Sequence, residues 1–232
     1  MCIRDRCYDA ALAYGTPFIS GKDSLNNEFM DAHGNKRTIP PTLLISSMGI
    51  MPDVRQTITS DLKRPDDRLY IIGETRNELG GALYERLTGE AGGALPAPVP
   101  DAIKTMRALH QAIAGGLVAA THDCSEGGIA VAAAEMCIGG RLGLDLHLDV
   151  LPRAEDVDAT AALFAESSAR FLVEVAPEHA GDFEQTLAGR PCACIGAVTE
   201  TATLRIAGTR GEMWVENEIT ALARVWQETE VV

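Results

Sequence analysis

One unit near the middle of the chain limits its fold more than any other feature. Leu117-Val118-Ala119-Ala120-Thr121-His122-Asp123 has the apolar character of a strand, and Cys124-Ser125-Glu126-Gly127-Gly128 is a turn. Ile129-Ala130-Val131-Ala132-Ala133-Ala134-Glu135-Met136-Cys137 follows as an alanine-rich helical run closed by Gly139-Gly140. Strand, glycine turn and alanine helix in direct succession predict a helix lying close against a sheet. The turn also sets backbone N–H groups at a helix N-terminus, where partial positive charge favours an anion. Ser125, Gly127 and Gly128 therefore have two readings that the residues leave open. One is close helix–sheet packing with Ser125 or Asp123 as cap, and the other is a backbone cradle for a ligand phosphate.

The remaining segments supply strands and helices around that unit. Asp9 to Gly15 reads as the end of a helix closed by glycine, and residues 1–6 read as a junction or truncated start. Thr16 to Ser20 reads as a short strand, and Asp31 to Arg37 as a surface turn. Thr42 to Met51 and Asp66 to Gly73 are apolar enough to be strands buried on both faces. Leu79 to Leu87 is helical in spacing despite two glycines, and Gly89 to Pro100 is a loop and a plausible hinge. A helix opens at Pro100-Asp101 with Ile103, Met106, Leu109, His110 and Ile113 on its apolar period. Leu142–Val150 and Ser168–Val175 read as strands, Asp156–Phe164 and Pro177–Leu187 as helices. Cys192–Val198 and Thr203–Ile206 read as the last strands, and Ile219–Gln227 as a closing helix.

Charge and cysteine usage narrow the function classes. A formal net charge of -13 over 232 residues repels a nucleic-acid backbone, while local cationic groups still permit a phosphorylated small molecule. No apolar run is long enough to span a bilayer, and no signal core opens the chain. Cys192-Ala193-Cys194 lacks the C-x-x-C spacing of a redox or zinc pair. The six cysteines read as free thiols in a reducing cytoplasm.

Three polar clusters could carry chemistry. In Gly21-Lys22-Asp23-Ser24, glycine lets backbone approach an anion, lysine offsets phosphate charge, aspartate is a hard oxygen ligand for Mg²⁺, and serine donates to a phosphate oxygen. The run lacks P-loop spacing and also reads as a polar turn after a strand. The Ser125–Gly128 turn is the second cluster; His122 beside Asp123 is disfavoured as a dyad because strand neighbours face opposite ways. Glu166-Ser167-Ser168-Ala169-Arg170 is the third, able to hold a ribose or phosphate, or else a loop with Arg170 paired to a carboxylate.

Together, Phe18-Ile19-Ser20-Gly21-Lys22-Asp23-Ser24-Leu25-Asn26-Asn27-Glu28-Phe29, the His122–Met136 run and Glu166–Phe171 stand in the order and approximate spacing of one family. The chain resembles the synthetase subunits of phosphoribosylformylglycinamidine synthases, purine-biosynthesis ligases of the aminoimidazole ribonucleotide synthetase superfamily. The resemblance implies an α+β fold: a mixed β-sheet flanked by helices, with a short piece of a preceding domain. It places residues 7–41 in the tail of the second synthetase N-terminal domain and 42–232 in the following C-terminal domain. It further implies ATP or ADP and Mg²⁺ as cofactors, with Gly21, Lys22 and Ser24 at nucleotide and substrate and Asp23 on the metal. Some family members have asparagine and valine in place of Lys22 and Asp23, so which of the two serves the metal stays open. Ser125, Gly127, Gly128, Glu166 and Ser167 correspond to a pseudo-symmetric copy of the substrate site. No catalytic residue is assigned, because the family's catalytic histidine belongs to upstream segments. The implied partners are that upstream portion, a glutaminase subunit and a small accessory subunit, in the cytoplasm. Other ATP-binding members of the superfamily, of selenophosphate, thiamine-phosphate, hydrogenase-maturation or aminoimidazole ribonucleotide type, form the competing reading, and a purely structural nucleotide-holding half a third.

Overall fold

The computed structural model describes residues 3–21, 27–39 and 43–228. The chain divides into two compact units, Met1–Arg55 and Gln56–Val232.

In the first unit, helix α1 spans Ile3–Tyr14, so the helix expected to end at Gly15 begins as early as Ile3. Gly15 closes it with φ +66°, as its amide donates to Leu12 O at 3.3 Å. Strands β1 (Glu28–Met30) and β2 (Lys36–Thr38) pair antiparallel; residues 31–35 of the anticipated Asp31–Arg37 turn form the hairpin tip, and Lys36 and Arg37 already belong to β2. The Asp31 carboxylate holds the tip, accepting from His33 N at 2.9 Å and Asn35 N at 2.9 Å and from Arg37 Nε at 2.9 Å. Two expected strands do not form among the described residues. Residues 16–20 belong to no strand, and Ile19 is 95% exposed. Among the described residues 43–51 there is likewise no strand, and Leu44 (88%), Met48 (96%) and Ile50 (94%) are exposed. Apolar content marks a segment that could be buried; a strand also needs a neighbour to take its N–H and C=O groups.

The second unit is built on one mixed sheet. Its elements are β3 (Arg68–Ile72), α2 (Leu83–Thr88), α3 (Ala102–Ala114), β4 (Ala120–Asp123), α4 (Gly128–Gly140), β5 (Gly143–His147), α5 (Ala159–Phe164) and β6 (Phe171–Val175). After these come α6 (Ala180–Thr186), β7 (Cys192–Thr199), β8 (Thr203–Ala207), β9 (Met213–Glu218) and α7 (Ile219–Glu228). Among the described residues, seven strands run in the order β4-β6-β3-β7-β5-β8-β9. All neighbours are antiparallel except β5 and β8. Strand β9 was not legible as a strand, since Met-Trp-Val-Glu-Asn-Glu is mostly exposed at the sheet edge and carries no clean alternation.

Around β3 and β6 the sheet is covered on both faces, which is why β3 is an apolar run from Leu69 to Ile72. Leu69 and Ile71 face one core with Ile129 and Met136 of α4, Ala161 of α5, Leu144, Ile195 and Ile219. Tyr70 and Ile72 face a second core with Leu109 and Ala112 of α3 and with Phe183 and Leu187. Burying each such large side chain contributes about 1.5–3 kcal/mol. In α3 the buried stripe is Ala102, Thr105, Ala108, Leu109 and Ala112. His110, expected on that stripe, is exposed, because the small residues and not the large ones let the helix approach the sheet. Helix α4 ends at Gly139-Gly140 as expected, and Arg141 at φ 57° is its left-handed cap. A side chain at Gly140 would run into the backbone of Leu62, so this glycine serves close packing.

Candidate functional site

The register of the strands gathers the polar clusters of the second unit at one end of the sheet. Ile72 pairs with both Phe171 and Cys192, and Asp123 pairs with Phe171. His147 pairs with Ala207, which pairs with Met213. Segments 73–82, 124–127, 148–158, 165–170 and 208–212 therefore all emerge at that end, where α4 also begins. Sequence distance hides this: Glu166 and Gly127 are neighbours only because β4 and β6 are adjacent strands.

The α4 turn is closed by a carboxylate from the third cluster. Glu166 Oε1 accepts from Gly127 N at 2.9 Å and from Leu83 N at 2.8 Å. This oxygen stands where an anion at the helix start would stand, and it joins the first turns of α2 and α4. Ser125 is exposed, and the residue preceding the helix, Gly127, supplies no side-chain cap. Gly127 (φ +76°) and Gly128 (φ +65°) are both left-handed. A Cβ on Gly128 would lie 2.6 Å from Ala165 O and 2.8 Å from Leu163 O, and one on Gly127 would strike Val131. Both glycines are thus required by backbone shape and by the approach of the 163–165 backbone.

Ser167, only 2% exposed, ties the same loop to segment 73–82. Its Oγ accepts from Arg76 N at 3.1 Å and donates to Arg76 O at 3.3 Å. Beneath it lies Arg170, 1% exposed, whose guanidinium donates to Ser167 O at 3.1 Å, Thr75 Oγ1 at 2.9 Å and Ala165 O. Carbonyl and hydroxyl oxygens, not the anticipated carboxylate, are its hydrogen-bond partners. Burial holds its pKa below the usual arginine value, while the nearby Cys124, Glu78 and Glu166 act the other way. Glu78 is also buried, and its Oε1 accepts from Ala97 N at 2.9 Å. Thr75 and Glu78 escaped sequence reasoning. The one available signal was that Gly73 directly follows a strand buried on both faces.

His122 meets more than strand alternation allows. Its Nδ1 lies 2.8 Å from Asp123 O and 3.5 Å from Asp123 Oδ1, and its Nε2 lies 3.1 Å from Glu135 Oε2. Both ring nitrogens are engaged within the domain. Burial pushes the thiols of buried Cys124 up to about 11 and of buried Cys137 and half-buried Cys192 up to about 12. Cys7, Cys124, Cys137, Cys192 and Cys194 are free, as expected.

In the first unit, Gly21 is exposed, while Lys22, Asp23 and Ser24 lie outside the described residues. Among the described residues no cluster of three or more His, Cys, Asp or Glu is arranged to hold a metal ion. None of the helices searched is long and apolar enough to cross a membrane.

A relative named phosphoribosylformylglycinamidine synthase subunit PurL, from Limosilactobacillus reuteri, is 35% identical over 222 residues. That match takes in 95% of this chain and 28% of the relative, so the chain spans little more than a quarter of the relative's length. Thermotoga maritima PurL complexed with FGAR superposes with a TM-score of 0.65 at 22% identity, over 73% of this chain and 30% of that one. T. maritima PurL complexed with ATP and the T. maritima PurLQS structure each superpose with a TM-score of 0.61 at 23% identity, over 73% of this chain and 28% of theirs. At these identities the superpositions establish a shared α+β fold. The family model described as AIR synthase related protein, C-terminal domain, matches residues 64–208, more than half of the chain and nearly all of the mixed sheet. The chain therefore belongs to the AIR synthase related proteins and carries their C-terminal domain.

Proposed function

We propose that this chain is the closing part of the second half of a phosphoribosylformylglycinamidine synthase synthetase subunit. The observation that carries the reading is the 35% identity to a subunit of that name, sustained along 95% of the chain. The reaction is then the ATP-dependent conversion of formylglycinamide ribonucleotide to the amidine. ATP phosphorylates the formamide oxygen, and ammonia displaces the phosphate. The rest of the subunit supplies the catalytic histidine, a glutaminase subunit supplies ammonia, and a small accessory subunit joins the assembly in the cytoplasm.

In this reading Gly21, Lys22 and Ser24 meet nucleotide and substrate, and Asp23 offers the oxygen ligand that Mg²⁺ prefers. Lys22 adds charge against the phosphates. Residues 7–41 are the tail of the preceding domain and 42–232 the C-terminal domain. Ser125, Gly127, Gly128, Glu166 and Ser167 are the second half's counterpart of a substrate loop. Its phosphate position is taken by the Glu166 carboxylate, which supports a scaffolding role for this copy.

Two measurements test the proposal. The purified 232-residue chain alone forms no amidine from ATP, ammonia and the formyl substrate. Calorimetric titration with Mg²⁺ and ADP gives binding that Asp23→Ala weakens at least tenfold. Amidine formation by the isolated chain, or equal binding by both proteins, contradicts it.

A further inference from the structure

We propose a second ligand site, for a mononucleotide-sized phosphate ester, in the cleft between segments 153–159 and 209–214. It lies at the loop end of the sheet but is built from none of the residues assigned above. The cavity has a volume of about 460 Å³, within the range of small-molecule sites and too small for a folded partner. Arg153, Arg210 and Trp214 line it, with Asp158 and Glu212 beside them.

Both carboxylates in the lining already accept N–H donors, whereas the two arginines keep donors for a ligand. Asp158 Oδ1 accepts from Ala161 N at 2.8 Å as the cap of α5. Glu212 is spent on the hairpin: Oε2 accepts from Arg210 N at 2.9 Å and Oε1 from Trp214 Nε1 at 3.0 Å. Its own backbone N–H, then the Arg210 N and Trp214 bonds and the Arg210 charge, hold the Glu212 carboxyl below its usual pKa. Arg153 donates one Nη1 bond to Val157 O at 3.2 Å and keeps its other donors. The Arg210 guanidinium makes no hydrogen bond with a described residue, and its charge acts on Glu212 from a distance. Two arginines with unused donors line the one cavity and suit the paired oxygens of a phosphate.

The third wall selects for a ring. Trp214 is half-buried, and its indole lies so close over Gly208 that a Cβ there would collide with it. Gly208 and the Nε1 bond to Glu212 together fix the indole plane at the cavity wall. A fixed indole offers a stacking surface to a flat heterocycle at little entropic cost. On the other wall, Ala154 N donates to Thr75 O at 2.9 Å, so the segment bearing Arg153 is anchored to the core.

The test is a fluorescence titration of the full chain in a Trp226→Phe background, which leaves Trp214 as the reporter. AMP without Mg²⁺ is the probe. Saturable quenching is expected, with Arg153→Ala and Arg210→Ala each weakening it about tenfold. Ribose 5-phosphate is expected to bind more weakly than AMP. Asp23→Ala is expected to leave this titration unchanged, which separates the site from the one proposed at Gly21–Ser24. Absence of saturation, or arginine variants that bind like the parent, overturns the site. Equal affinity for ribose 5-phosphate overturns the assignment of a ring against Trp214. Far-ultraviolet circular dichroism of each variant confirms that losses come from binding and not from unfolding.

Discussion

Replacing Glu166 with alanine removes the side-chain acceptor that bridges the starts of α2 and α4. Its Oε1 takes the Gly127 and Leu83 amides at 2.9 and 2.8 Å, and Gly127 is buried. A hydrogen bond to a charged acceptor contributes about 1.5–3 kcal/mol, and a buried amide left without a partner costs about 1–3 kcal/mol. The Leu83 amide at the half-buried start of α2 can recover a water, so its loss sits at the low end. The two together predict a destabilisation of about 3 kcal/mol. For a unit of this size that is a fall of about 6–12 °C in Tm. Glu166→Gln keeps an acceptor oxygen without the charge and should lose about half as much. Ser125→Ala, an exposed residue with no capping bond, should change stability by less than about 0.5 kcal/mol. Thermal melts read the totals, and hydrogen exchange at the Gly127 and Leu83 amides reads the cause. If Glu166→Ala melts with the parent, or if those two amides keep their protection, the carboxylate does not hold this turn.

Further outcomes follow from packing and charge. Gly128→Ala places a methyl group 2.6 Å from Ala165 O at a left-handed φ of +65° and should cost about 3 kcal/mol or more in urea unfolding. Gly181→Ala, in α6 with nothing within 4 Å of the new methyl, should instead stabilise by about 0.5–1 kcal/mol. Glu174 is fully buried beside Asp67, accepts from Lys63 N and Arg64 N, and has its carboxyl raised, chiefly by burial, to about 7 from 4.5. Between those values the folded chain binds more protons than the unfolded one. This contribution is therefore full below pH 4.5 and is lost as pH rises through 7, by at most about 3 kcal/mol. Urea midpoints compared at pH 5 and pH 8 should show that loss in the parent and a flatter dependence in Glu174→Gln.

What the sequence revealed depended on how local each cause was. The α4 unit was legible because its period, its glycines and its composition all lie within one short stretch. The β3 run was legible because burial on both faces leaves only apolar residues. The stretch 43–51 has the same composition and forms no strand among the described residues, since pairing depends on a neighbour that composition does not encode. Strand β9 failed in the opposite sense, a charged edge that pairs with β8 regardless of its pattern. The polar clusters were visible one by one. That Glu166 closes the Gly127 turn, and that Arg170 answers to carbonyls of its own loop, are consequences of β4 and β6 lying side by side.

The most direct measurement places this chain in its proposed context. It would replace the matched 222 residues of the L. reuteri subunit, and ammonia- and ATP-dependent amidine formation would be assayed on the purified, cooperatively folded chimera. The account predicts an active chimera whose rate falls at least tenfold with Asp23→Ala and holds with Ser125→Ala. A folded chimera that forms no amidine, or one indifferent to Asp23, would contradict it.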